Sequence, residues 1–130
     1  MIDPVSVATA SKGKFMQTDS DQPSLEIDVE QVKAMIDADE PLVLLDCREQ
    51  AEYDLVHLDN SLLVPMSEIQ NRLDELTSFQ ESPLVVYCHL GGRSLQVTHW
   101  LRQQGYANVV SMAGGIDAWS QQIDPALPRY

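Results

Sequence analysis

Apolar residues along the chain follow two alternating rhythms. Short continuous runs occur at Leu42-Val43-Leu44-Leu45, Leu62-Leu63-Val64, Leu84-Val85-Val86 and Val109-Val110. Unbroken runs of this length fit strands of a parallel sheet buried on both faces. Between them the spacing changes to that of helices. Val29, Val32, Met35 and Ile36 form one stripe, and Asp28 with Gln31 three residues on supplies a capping box before it. Ser67 with Gln70 is expected to open a second helix, whose Ile69, Leu73 and Leu76 share a face. Val97, Trp100 and Leu101 mark a third over about Ser94 to Gln104, stopped by Gly105, and Ile116 and Trp119 a short last one after Gly114-Gly115. With Leu25-Glu26-Ile27 as a short first strand and Asn108 to Met112 as the last, the pattern predicts an α/β domain. Its core is a five-stranded, mainly parallel sheet with helices on both faces.

Residues 1–22 are polar and without periodicity, so a flexible tail is expected there and one folded domain over residues 23–130. Pro125 and Pro128 end regular structure at the other end.

The segment of greatest chemical interest joins the fourth strand to the third helix. Pro83 to Tyr87 leads into Cys88-His89-Leu90-Gly91-Gly92-Arg93-Ser94, which places a cysteine at the carboxyl end of a strand, where open α/β sheets bind ligands. A loop of this kind can turn backbone N–H groups inward around a sulfur atom or an anion, and Gly91 and Gly92 allow the backbone angles needed. A free thiol with a pKa near 8.5 is only about 3% ionised at pH 7. A helix N-terminus contributes roughly 0.3 to 2 kcal/mol toward the anion, enough to lower that pKa by up to about 1.5 units.

Cys88 is therefore the expected nucleophile. His89, Leu90, Gly91, Gly92, Arg93 and Ser94 form the expected binding cradle, with Arg93 as the cation for an anionic substrate, the alternative for it being an ordinary structural salt bridge. Spacing bears on the target. Cysteine-dependent phosphatases place their arginine one position further from the cysteine, whereas here only His89 through Gly92 separate Cys88 from Arg93. The tighter loop suits the outer sulfur of a cysteine persulfide better than a phosphate tetrahedron.

Composition narrows the partners. A formal net charge of −12 on 130 residues argues against nucleic acid and anionic membranes. No apolar run is long enough to span a bilayer, and the N-terminal residues do not read as a signal peptide. Cys47 and Cys88 are the only cysteines and lack metal-ligand spacing, which fits a reducing compartment and a cytoplasmic location.

In these motifs the chain resembles a single-domain rhodanese. Asp46-Cys47-Arg48-Glu49, then Glu52-Tyr53 and His57-Leu58, is similar to that family's Asp-Val-Arg-Glu, Glu-Tyr and Gly-His-Ile signatures, and Gly114-Gly115-Ile116 with Trp119 to its C-terminal Gly-Gly motif. Val56 stands at a usual glycine, Asp59-Asn60-Ser61 replaces a Pro-Gly-Ala turn, and Cys47 replaces a common valine. The resemblance implies a sulfurtransferase that moves a sulfane sulfur from a small anionic donor such as thiosulfate to a thiol, cyanide or carrier-protein acceptor. The sulfur would travel through a Cys88 persulfide, with no metal or organic cofactor. The alternatives are a noncatalytic rhodanese-like module that binds a partner or senses redox state, and a phosphatase or arsenate reductase on the same fold.

Around the loop, Arg48 and Glu49 are expected to pair and brace it, the alternative for Asp46 being that it faces the site. Cys47 is expected to pack, with a resolving or relay thiol as its alternative, and His57 to be a hydrogen-bonded structural residue. The ending Asp124 to Tyr130 resembles the end of rhodanese modules fused to adenylyltransferases that serve sulfur-carrier proteins.

Overall fold

The computed structural model describes residues 24–130; the tail expected over residues 1–22 lies outside them. In chain order the elements are β1 (Glu26–Ile27), α1 (Val29–Asp37), β2 (Val43–Asp46), α2 (Gln50–Leu55), β3 (Ser61–Leu63), a 3₁₀ helix (Leu73–Phe79), β4 (Leu84–Tyr87), α3 (Gly92–Gln103), β5 (Val109–Met112) and α4 (Gly115–Gln122). The strands form one sheet in the order β1-β5-β4-β2-β3, and every pairing is parallel.

Side chains alternate across this sheet, and the core divides accordingly. Leu44, Val85, Tyr87, Val110 and Met112 face α1 and α4, packing on Val29, Val32, Ile116 and Trp119. Leu45, Cys47, Leu84, Val86, Cys88 and Val109 face the other way, onto Leu76, Val97 and Leu101. Continuous apolar strands are thus explained by cover on both faces. Each fully buried Leu or Val side chain contributes roughly 1.5 to 3 kcal/mol.

The capping box at α1 forms as the sequence indicates: Asp28 accepts from the Gln31 N–H at 2.8 Å, and the Gln31 side chain accepts from the Asp28 N–H at 3.0 Å. Two elements differ from expectation. The stretch from Ser67 does not become an α-helix but runs through turns into the 3₁₀ helix. Its backbone closes mainly through bonds to the third residue back, as from Glu68 to Pro65 and Glu75 to Arg72. Ile69 and Leu76 are still buried, because the tighter winding also returns a side chain to one face after each turn. Conversely, α2 has no buried residue, so it carries no apolar stripe and escapes a periodicity reading. Its signal is polar, a capping box formed by Glu49 and Glu52.

The turn before β3 has a simple account. Asn60 takes the left-handed conformation with φ 64° at the position where the resembled turn carries glycine, and asparagine is among the few residues that tolerate it.

Candidate active site

Two neighbouring strands deliver two sulfur atoms to one place. β2 and β4 pair in register with Asp46 opposite Tyr87, and the Cys47 N–H donates to the Tyr87 carbonyl at 3.1 Å. The next residues, Cys47 and Cys88, follow in that register on the same face of the sheet. Both thiols are free and buried.

Beyond Cys88 the chain doubles back through an exposed Leu90 and enters α3 at Gly91, whose φ of 110° is left-handed. That conformation turns donors inward. The Cys88 Sγ accepts the Gly91 N–H at 3.1 Å and the Ser94 N–H at 3.3 Å, and the Ser94 hydroxyl lies at 3.4 Å. Ser111 of β5 holds that hydroxyl from behind at 2.8 Å.

The loop's carbonyls are turned outward by α4. Ile116 and Asp117 donate their N–H groups to the Cys88 and His89 carbonyls at 2.9 and 3.1 Å. Gly115 makes this approach possible: at φ 63°, a Cβ there would overlap both carbonyl oxygens. The Gly114-Gly115 turn therefore shapes the cysteine loop from outside.

Electrostatics favour the anion at Cys88. The Cys47 thiol beside it, then the Ser94 hydroxyl and the two N–H groups, hold its pKa well below the usual thiol range against the opposing effect of burial. Cys47 shifts the other way, raised by the same contact and by burial. The N–H donors converge on Cys88 alone, so Cys88 is the sulfur that ionises.

Arg93 is held by a carboxylate. Its guanidinium binds Glu52 of α2 in a two-pronged pair at 2.8 and 2.9 Å, which lowers the Glu52 pKa to about 2. The Tyr130 hydroxyl donates to the same carboxylate at 2.9 Å and accepts from Arg48 Nη1 at 2.9 Å. The Tyr130 ring also stacks on His89, with centroids 4.0 Å apart. Gly92 faces open space.

The expected pairing of Arg48 with Glu49 is not formed. Arg48 is wholly buried and turns inward to Asp46, donating through Nε at 2.9 Å and Nη2 at 2.6 Å, with a further bond to the Val56 carbonyl at 2.6 Å. A buried guanidinium needs a buried carboxylate, and Asp46 is also fully enclosed, whereas Glu49 is exposed. Glu49 instead caps α2 and accepts from the Ser67 hydroxyl at 2.8 Å. His57 does accept a structural place, its Nδ1 2.8 Å from the Tyr53 carbonyl and its ring stacked on Tyr53.

Two residues join the site that the motifs did not place there, Glu52 and Tyr130, and Cys47, expected to pack with a resolving or relay thiol as its alternative, lies on the same face as the reactive sulfur. Their signals were the capping box for Glu52 and the strand register for Cys47; nothing local marks Tyr130.

The family model described as Rhodanese-like domain matches residues 28–122. Rhodanese-like/PpiC domain-containing protein 12 of Arabidopsis thaliana is 36% identical over 89 residues, covering 67% of this chain and 30% of its own length. An adenylyltransferase and sulfurtransferase of Ogataea parapolymorpha is 37% identical over 87 residues, covering 67% of this chain and 22% of its own length. The chain thus spans less than a third of either relative. Among solved structures, a thiosulfate sulfurtransferase from Pseudomonas aeruginosa superposes with a TM-score of 0.69 at 28% identity, over 80% of this chain and 20% of that one.

Proposed function

Because the chain belongs to the rhodanese-like domain family, we propose that it is a sulfurtransferase working through a persulfide on Cys88. The Cys88 thiolate attacks the sulfane sulfur of a donor such as thiosulfate; a new S–S bond forms, the donor's S–S bond breaks, and sulfite leaves with the electron pair. An acceptor thiol, cyanide or a carrier protein then attacks the outer sulfur, and the Cys88 thiolate is the leaving group.

The observation that carries this reading is the pair of N–H groups, from Gly91 and Ser94, aimed at the Cys88 sulfur. They stabilise the thiolate both as nucleophile and as leaving group, and they cost no reorganisation during reaction. His89, Leu90, Gly92 and Arg93 line the approach, and an anionic donor reaches Arg93 only in competition with Glu52. The Asp46–Arg48 pair ties the end of β2 to the Val56 carbonyl and the Tyr130 hydroxyl. Phosphoryl transfer is disfavoured, because the loop is one residue shorter than that of cysteine-dependent phosphatases and its arginine is paired with Glu52. Two free thiols suit a reducing cytoplasm, and among the described residues no helix is long and apolar enough to cross a membrane.

The test is thiocyanate formation from a sulfane sulfur donor and cyanide. Formation that disappears in Cys88→Ser is expected; formation that persists in it overturns the proposal.

A further inference from the structure

Every arginine around the loop is matched by a carboxylate. Arg93 meets Glu52 at 2.8 Å, Arg48 meets Asp46 at 2.6 Å, and Arg129 meets Asp117 at 2.9 Å. The Arg93 pair is two-pronged, a geometry that uses both faces of the partnership fully. Glu52 is itself held: the Tyr130 hydroxyl donates to it, and that hydroxyl is fixed by the buried Arg48. The entrance therefore gains no net positive charge from these arginines. What it leaves open is apolar and aromatic, with Leu90 63% exposed and His89 stacked on Tyr130.

Such an entrance is a poor receiver of a dianion. Thiosulfate approaching Cys88 meets a thiolate, and the cation that would offset the repulsion is already engaged, on a chain whose net charge is −12. A persulfide carried on a thiol brings less charge and an organic body that can lie on Leu90.

We propose that Glu52, pinned by Tyr130, is the specificity-determining residue of the site. It selects against small dianionic donors and for a persulfide carried on an uncharged or cationic thiol. This rests on the sulfurtransferase reading above and narrows its donor. In the favoured loading step the Cys88 thiolate attacks the terminal sulfur of R–S–SH. The new S–S bond forms, the donor's S–S bond breaks, R–S⁻ departs with the electron pair, and the terminal sulfur keeps its proton.

The experiment compares loading rates of Cys88, read by intact mass, from thiosulfate and from the persulfide of cysteamine. Glu52→Gln preserves the shape and an oxygen for the Glu49 N–H, which Glu52 now accepts at 3.1 Å. It is expected to raise the thiosulfate to cysteamine-persulfide rate ratio about tenfold at low salt, and less at high salt. Tyr130→Phe, which frees the carboxylate without removing it, is expected to raise the ratio by about threefold and serves if Glu52→Gln does not fold. An unchanged ratio overturns this inference while leaving sulfur transfer standing. Absence of loading from both donors in the native chain overturns the sulfurtransferase reading itself.

Discussion

Cys47 and Cys88 each follow the last residue of two adjacent parallel strands, on one face of the sheet, and of the two, among the described residues, Cys88 alone receives backbone N–H groups. One sulfur is thereby set up as the anion and the other as its neutral neighbour. Cys47 is thus placed to favour the anion on the reactive sulfur in addition to packing.

The pH dependence of alkylation checks this. Cys88 has a lowered pKa, so its thiolate persists at neutral pH and is lost only as pH falls through the folded value. Ionisation at this site stabilises the fold above the unfolded thiol's pKa of about 8.5, and that stabilisation is lost as pH falls through the folded value. Iodoacetamide reactivity should be nearly flat from neutral pH upward. Cys47→Ala is expected to move the midpoint up by about one unit, since it removes the polar neighbour that favours the anion on Cys88. An unmoved midpoint would mean that Cys47 only packs.

Among the described residues, Asp46 is the sole carboxylate bonded to the wholly buried Arg48. Asp46→Asn leaves that cation uncompensated and is expected to cost about 3 to 5 kcal/mol in urea unfolding. A change below about 1 kcal/mol would show that the Val56 carbonyl and Tyr130 hydroxyl suffice.

Two glycines in the site give opposite expectations. Gly115→Ala drives a Cβ into the Cys88 and His89 carbonyls from a left-handed backbone, and should destabilise by at least about 2 kcal/mol and slow alkylation of Cys88. Gly92→Ala enters open space at the start of α3 and should change stability by no more than about 1 kcal/mol. Thermal unfolding of both variants separates them; equal effects would contradict the role given to α4 in shaping the loop.

Much of this was legible along the chain, where the information is local. Strand runs, the Asp28 capping box and the cysteine loop all announce themselves through neighbouring residues. The 3₁₀ helix misled because it buries Ile69 and Leu76 with a spacing that an α-helix also allows. α2 was invisible to periodicity because it buries nothing. The partners of the site's arginines were lost for a different reason. Arg93 and Glu52 are 41 residues apart, and Tyr130 and Glu52 are 78 apart, so only the packed fold brings them together. Arg48 and Glu49 are adjacent in sequence, and adjacency suggested a pair that burial then denied.

In this mechanism Cys88 carries the sulfur. Incubating the protein with a persulfide donor, removing the excess, and weighing the intact chain measures this directly. The expected result is a gain of one sulfur atom, its loss on adding an acceptor thiol, and no gain in Cys88→Ser. A native chain that gains nothing, or a Cys88→Ser chain that gains the same mass, would contradict it.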